Sequence, residues 1–156
     1  MPPLSRTEAE RTSHVPLSQL YDAAEAAGIP VYDFSLPENG SVSVMDDDDR
    51  CFIGMDPSVL DGDVLERVHM GHELGHCLTG SFYNRYSPFD LRQRHENRAD
   101  KWAISRLVTE DDLDNAVAEG CCELWNLAER FGVTEQFMQK AVCWYVHGNT
   151  AAELYF

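Results

Sequence analysis

The spacing of apolar positions predicts that the chain begins with a helix and continues with short strands. Residues 15–28 repeat apolar and alanine side chains at helical intervals, with Ser18 placed to cap the first turn and Gly28 to end the helix. Three runs of β-forming residues follow between turn formers, at residues 29–36, 41–45 and 51–55. We therefore expect one helix and then a small antiparallel sheet.

From residue 61 onwards the apolar period becomes helical again. One stripe of the helix predicted at residues 61–80 carries Leu65, Val68, His72 and His76. Asp61 or Asp63 can cap its start, and Gly80 can end it. Two of the chain's six histidines are thus expected to share one face of this helix with its apolar residues.

Further helices are predicted over most of the remaining chain. The helix at about 91–108 carries on one side Glu96, Ala99, Asp100, Ala103 and Leu107. A short helix is expected at 109–118, and a helical pair split at Gly132 at about 120–147.

The chain has no internal repeat, low-complexity tract or interdomain linker, and its 156 residues suit one domain. We predict a flexible tail at residues 1–16, because this segment is polar and charged, and a single α+β domain, mainly helical, at residues 17–156.

The segment HELGH, residues 72–76, has the spacing of a catalytic zinc site. His72 and His76 lie four residues apart, so on a helix both rings project from one face and can bind one ion. Glu73 is offset by about 100° and can reach a water on the metal without binding the metal itself. We therefore predict Zn²⁺ at this site and Glu73 as the catalytic acid and base.

A catalytic zinc takes three ligands from the protein, and the sequence offers two candidates for the third. Glu96 is preferred, because Asp100, one turn later, can then accept a hydrogen bond from the outer nitrogen of a ligand histidine. His95 is the alternative, and its ring would point about 100° away if Glu96 faces inward. The Glu-x-x-x-Asp spacing after HExxH resembles that of gluzincin zinc proteases.

Three neighbours of the motif have expected supporting roles. Gly75 leaves space for the second helix or a substrate to approach. His69 as a fourth ligand would close the site to water, so it is predicted to support the site or pack. Cys77 faces elsewhere on the helix and is predicted to be a buried structural thiol. Five cysteines without CxxC spacing argue against a disulfide framework.

Charge and hydropathy restrict the partners. A net charge of −15 repels phosphate backbones, so direct nucleic-acid binding is not expected. No apolar run has the ~20 residues that cross a membrane, the N-terminus lacks a signal-peptide core, and we expect a cytoplasmic protein. The run Asp46–Asp49 is interpreted as an exposed loop between strands, with cation binding as the alternative.

The likeness extends beyond the HELGH segment. The chain resembles the ImmA/IrrE family of metallo-endopeptidases in three segments. These are the HELGH helix at 66–80, the E-x-x-A-D helix at 95–108 and the C-terminal helical pair at 123–142. The likeness covers about residues 17–147. The chain reads LVTE where many members read LLMP after the second helix.

This resemblance implies a zincin-like fold, zinc held by His72, His76 and Glu96, and Glu73 as acid and base. It also implies a substrate class, since family members from phages and mobile elements cleave helix-turn-helix repressors. A basic repressor would suit the charge of −15.

The transition-state oxyanion needs a hydrogen-bond donor besides the metal, and Tyr83, Tyr86 and His95 are the unranked candidates.

Two other functions stay open. Residues 127–142 look like a helix-turn-helix in which Lys140 is the only basic residue of the second helix, so a DNA-binding regulator with structural zinc is one alternative. The other is a relative that binds a repressor without cutting it.

Overall fold

The computed structural model describes residues 14–84 and 86–152. Its elements, in chain order, are α1 (Leu17–Ala26), β1 (Val31–Asp33), β2 (Ser41–Met45), β3 (Cys51–Met55), α2 (Asp63–Thr79), α3 (Phe89–Leu107), α4 (Glu110–Ala118), α5 (Leu124–Phe131) and α6 (Glu135–His147). The fold is α+β and mainly helical, as the sequence predicts. The predicted tail covers residues 1–16, and residues 1–13 of it lie outside the described part of the chain.

The three strands form one mixed sheet in the order β1-β3-β2. β2 pairs antiparallel with β3, whereas β1 pairs parallel with it, so the prediction of an antiparallel sheet is wrong for β1. β1 reaches β3 across the intervening strand β2 rather than through a hairpin turn, so its connection does not force it to run antiparallel. β3 is the central strand, and its Ile53 and Met55 are buried. β2 is therefore an edge strand.

Two glycines allow α2 and α3 to cross closely. A Cβ atom on Gly75 would lie 2.5 Å from the carbonyl oxygen of Ala99, and one on Gly71 would lie 3.0 Å from Leu107. This close approach, with Ala103 also fully buried, brings the polar side of α3 against the histidine face of α2. The expectation that Gly75 leaves space for the second helix is confirmed.

The C-terminal helical pair packs onto this crossing. α5 ends at Gly132, which adopts a left-handed conformation, and the side chain of Thr134 then caps α6 by accepting a hydrogen bond from the Phe137 amide. The buried Arg67 of α2 donates to the carbonyl oxygen of Gly132 and to that of Val15. One buried guanidinium thus joins α2 to the turn between α5 and α6.

The predicted end of α2 is confirmed, whereas the predicted caps of α1 and α2 are wrong. Gly80 ends α2 in a left-handed conformation, as expected. Ser18 does not cap α1, which follows Pro16, and neither Asp61 nor Asp63 caps α2, which follows Gly62; neither start has a side-chain cap. Instead, Asp63 lies in the first turn of α2, where its charge favours the positive end of the helix dipole.

A disulfide joins Cys51 of β3 to Cys77 of α2. The prediction of a buried Cys77 thiol is therefore wrong. The sequence could not reveal the pair, because the two residues are 26 positions apart and their Cα atoms come within 5.9 Å only when the sheet packs on α2. The bond fixes the central strand to the helix that carries the HELGH segment.

The run Asp46–Asp49 forms an exposed turn between β2 and β3, in agreement with the loop interpretation. Asp46 accepts hydrogen bonds from the backbone amides of Asp48 and Arg50, and the Arg50 side chain lies against both aspartates. An arginine within the loop therefore balances part of its charge. Within residues 14–84 and 86–152, no helix is both long and apolar enough to span a bilayer.

Candidate metal centre

Three side chains from two helices converge at the crossing of α2 and α3. His72 Nε2 lies 3.1 Å from His76 Nε2 and 2.9 Å from Glu96 Oε2, and His76 Nε2 lies 3.3 Å from Glu96 Oε1. One potential ligand atom from each residue lies within 4.8 Å of the others. The structure thus brings together the three residues that the sequence predicts as ligands.

The outer nitrogens of both histidines face acceptors. His72 Nδ1 lies 2.8 Å from the carboxylate Oδ1 of Asp100, and His76 Nδ1 contacts the carbonyl oxygen of Ser81. Because neither acceptor can donate, each Nδ1 carries the hydrogen, and in the neutral rings each Nε2 presents a lone pair to the other and to Glu96. Three acceptors that point at one another require a cation between them.

This donor set fits a metal ion. Two imidazole nitrogens and one carboxylate oxygen are the protein ligands of many catalytic zinc sites, and the hydrogen bonds to Asp100 and Ser81 fix the ligand tautomers. The left-handed turn at Gly80 directs the Ser81 carbonyl back towards His76. The end of α2 therefore also orients one of the candidate ligands.

The electrostatics of the metal-free cluster reflect the same need for positive charge. Burial lowers the pKa of His72, but hydrogen bonds to Asp100 and Glu96 outweigh this effect and raise it to about 10. Burial opposes ionisation of Glu96 and Asp100, yet hydrogen bonds from the surrounding donors hold the pKa of both carboxyls below their ordinary values. Without a metal, a proton on His72 supplies the charge that the carboxylates attract.

Glu73 lies buried in the same cleft, next to the ligands rather than among them. The hydroxyl of Ser41, on the edge strand β2, lies 3.4 Å from Glu73 Oε1 and 2.7 Å from His69 Nδ1. His69 therefore contacts Ser41 rather than the three candidate ligands. This contact fits the supporting role, which is one of the two roles that the sequence predicts for His69.

Asp100 is held at both of its oxygens. Oδ1 accepts from His72, and Oδ2 accepts from the Lys140 ammonium group on α6 at 3.0 Å. The Asp100 side chain is only 9% exposed, so this carboxylate is a buried charge with one partner on α2 and another on α6.

The three candidate oxyanion donors occupy different environments. The Tyr83 hydroxyl donates to Glu96 Oε1 at 2.6 Å, and burial together with Glu96 raises the pKa of Tyr83 to about 12. His95 stacks on the Tyr83 ring and its Nδ1 is buried without a hydrogen-bond partner among the described residues. Tyr86 is 78% exposed and lies outside the described cleft lining.

The three candidate ligands line a cleft of about 590 Å³. Its walls include Ser41 and Ser43 of β2 and Gln136 and Lys140 of α6. Sequence reasoning missed Ser41 and Lys140 as site residues. For Lys140 there was a signal, since it is one turn from the buried Phe137 and is the only lysine or arginine of α6; for Ser41 there was none.

Comparison with known proteins gives one match. The family model Peptidase_M78, described as an IrrE N-terminal-like domain, matches residues 24–142, which is well over half of the chain and includes every residue of the cluster. No curated protein and no solved structure matches the chain.

Proposed function

The chain belongs to the Peptidase_M78 family of metallopeptidase-type proteins, and from this premise we propose that it is a zinc-dependent endopeptidase. One observation carries the proposal: the Nε2 atoms of His72 and His76 and a carboxylate oxygen of Glu96 converge within 4.8 Å of one another, and the outer nitrogens of both rings face acceptors. This is the donor set of a zinc hydrolase that leaves room for water and substrate.

Glu73 is proposed as the acid and base of the reaction. A zinc ion held by His72, His76 and Glu96 would make bound water acidic near neutral pH and would polarise the peptide carbonyl. Glu73 lines the same cleft, accepts the proton of the attacking water and delivers it to the leaving amine. The neighbouring Ser41 hydroxyl limits the orientations of the Glu73 carboxylate.

Tyr83 is proposed as the donor to the developing oxyanion. Its hydroxyl already lies 2.6 Å from a ligand oxygen of Glu96, so a small rotation directs it to a carbonyl bound beside that ligand. His95 stacks against the Tyr83 ring and stabilises its position, and the exposure of Tyr86 argues against a direct role. The geometry therefore favours Tyr83 over both alternatives.

The edge strand β2 is proposed to bind the substrate backbone. β2 forms part of the cleft lining and has one unpaired edge in the described sheet, so an extended peptide can add to it as a further strand. We propose that the physiological substrate is a basic helix-turn-helix repressor, a partner that suits the net charge of −15. Cleavage of the repressor would release the genes it controls.

DNA binding by the C-terminal helical pair has less support. Lys140, the only lysine or arginine of α6, bonds Asp100 and lines the cleft. It is therefore not directed towards a phosphate backbone, and phosphate binding needs several cations.

Zinc content and peptide cleavage together test the proposal. Purified wild type and Glu73→Gln should each contain one zinc, and His76→Ala should contain much less. Wild type should generate new N-termini in a proteome-derived peptide library and in a repressor encoded beside this chain, and Glu73→Gln should generate none. Wild-type cleavage rates in Glu73→Gln would refute the role of Glu73. A zinc-loaded wild type that binds the repressor and leaves it intact would favour the non-cleaving alternative.

A further inference from the structure

We propose that Lys140 is a positioning residue for the metal site, acting through Asp100 to fix the ligand ring of His72. The proposal rests on the metal-binding function proposed above. It assigns a role in the active site to α6, the helix that resembles a recognition helix in sequence.

The first argument is geometric. A carboxylate held at one oxygen can still rotate about its Cβ–Cγ bond, whereas Asp100 is held at both oxygens by groups on two different helices. The distances are 2.8 Å to His72 Nδ1 and 3.0 Å to Lys140 Nζ. With its plane fixed in this way, Asp100 fixes the direction of the His72 ring and therefore of His72 Nε2.

The second argument is that Lys140 projects from a well-anchored helix. Phe137, Met138 and Ala141 of α6 are buried in the core, and Thr134 caps the first turn of α6. The Lys140 side chain is 34% exposed, so its stem is partly immobilised by packing. The ammonium group therefore has a defined position from which to hold Asp100.

The third argument concerns charge. Asp100, Glu96 and Glu73 are three acidic side chains around one cleft, and Lys140 is the lysine that the structure places in its lining. Without Lys140, the buried carboxylate of Asp100 would keep only His72 as a described side-chain partner. A carboxylate with an unpaired buried oxygen reorients towards water or towards another donor, and the His72 ring moves with it.

The test is a double-mutant cycle on zinc affinity in the full chain. Zinc affinity is measured by competition with a chromogenic chelator in wild type, Lys140→Met, Asp100→Asn and the double variant. Lys140→Met should weaken zinc binding about tenfold, the range expected when a residue that supports a ligand is lost. In the Asp100→Asn background the same change should have no further effect, because Lys140 acts through Asp100.

Two further variants separate positioning from general stability. Lys140→Arg keeps the charge and should recover most of the affinity. Lys101→Met is the matched control, since Lys101 lies over the Trp144 ring, outside the described cleft lining, and its loss should leave zinc affinity unchanged. If Lys140→Met shows no cooperative unfolding and is therefore not properly folded, the zinc affinities of Lys140→Arg and Lys140→Gln are compared with that of wild type instead.

The possible outcomes distinguish this inference from the proposed function. Wild-type zinc affinity in Lys140→Met, or full additivity with Asp100→Asn, would overturn the inference alone, provided that His76→Ala abolishes zinc binding. If wild type binds no zinc, the proposed function and the inference both fail. Non-additive losses with recovery in Lys140→Arg would support the inference.

Discussion

Two parts of the cleft lining hold their functional side chains by different kinds of contact. On the helical side, the candidate ligand His72 bonds a buried carboxylate, Asp100, which in turn bonds the ammonium group of Lys140. Glu73 is also on α2, but its contact is with the strand side, where the neutral hydroxyl of Ser41 on β2 lies 3.4 Å from Oε1. The ligand is held by charged contacts, and the proposed acid and base by a weak neutral contact.

This difference matches the different demands on the two residues. A metal ligand must keep its tautomer and direction throughout the reaction, so charged hydrogen bonds that fix both are useful. A residue that accepts and then delivers a proton must change its hydrogen-bond partners during the reaction, so strong bonds to one partner would hinder it. We therefore expect changes on the helical side to alter metal affinity, and changes on the strand side to alter turnover at constant metal affinity.

The largest effect is expected at Tyr83, where the ligand Glu96 and the cleft meet. Tyr83→Phe removes the proposed oxyanion donor and should lower kcat about 10²-fold or more. Zinc affinity should fall less, by no more than about tenfold, because one hydrogen bond to the ligand Glu96 is lost while the ring and its stacking on His95 remain. Steady-state kinetics measure kcat, and competition with a chelator measures zinc affinity. If Tyr83→Phe loses zinc but keeps the wild-type kcat per bound zinc, the hydroxyl has a purely structural role.

The next effect concerns the approach of the two helices. Gly75→Ala introduces a Cβ atom 2.5 Å from the backbone oxygen of Ala99, and overpacking of this kind costs about 1–3 kcal/mol in unfolding free energy. Because α3 carries Glu96, zinc affinity should fall in parallel.

Gly71→Ala is the control for this variant, since its new Cβ meets the movable end of the Leu107 side chain and should cost less. Denaturant unfolding and zinc competition measure both variants. Equal losses in Gly71→Ala and Gly75→Ala would contradict the importance of the Ala99 contact.

A smaller effect is expected at Ser41. Ser41→Ala removes the hydroxyl near Glu73 and should lower kcat only about two- to threefold, because the contact at 3.4 Å is a weak hydrogen bond. Zinc affinity should remain that of wild type, in contrast to Asp100→Asn. If Ser41→Ala weakens zinc binding as much as Asp100→Asn does, the two parts of the lining do not differ in the way described.

The last prediction concerns the pH dependence of the metal-free protein, which tests the charges of the cluster apart from turnover. The pKa of His72 is raised from 6.5 to about 10, so the stability contributed by its protonated form is complete below pH 6.5 and is lost as the pH rises towards 10. The lowered pKa values of Glu96 and Asp100 give stability that is lost at acidic pH. Together these groups should give the highest melting temperature between about pH 5 and 6.5.

Thermal unfolding with a chelator present measures this pH dependence. Zinc should flatten the alkaline decline, because the metal replaces the proton on the ligand cluster. A melting temperature of the metal-free protein that rises from pH 6.5 to pH 9 would contradict the assigned protonation of His72.

The sequence predicted which side chains converge at the helix crossing, because helical spacing determines which side chains share a face. His72 and His76 on α2, and Glu96 and Asp100 on α3, needed only that spacing and two neighbouring helices. Gly75 was informative for the same reason, since a glycine inside a helix marks a close approach.

Contacts between distant segments were not predictable in this way. Ser41 and Glu73 are 32 residues apart, and Asp100 and Lys140 are 40 residues apart, so neither contact leaves a periodic pattern. The parallel pairing of β1 and the Cys51–Cys77 bond depend likewise on how the sheet packs onto α2. Local periodicity describes single elements, and tertiary packing decides which of their side chains meet.

The most direct test of the metal site is an anomalous difference map from crystals of the zinc-loaded protein, recorded at the zinc absorption edge. We predict one peak about 2.0–2.2 Å from His72 Nε2, His76 Nε2 and an oxygen of Glu96, with a non-protein ligand completing the coordination. A peak that lacks Glu96 as a ligand, or that has four protein ligands and no access for water, would contradict the account.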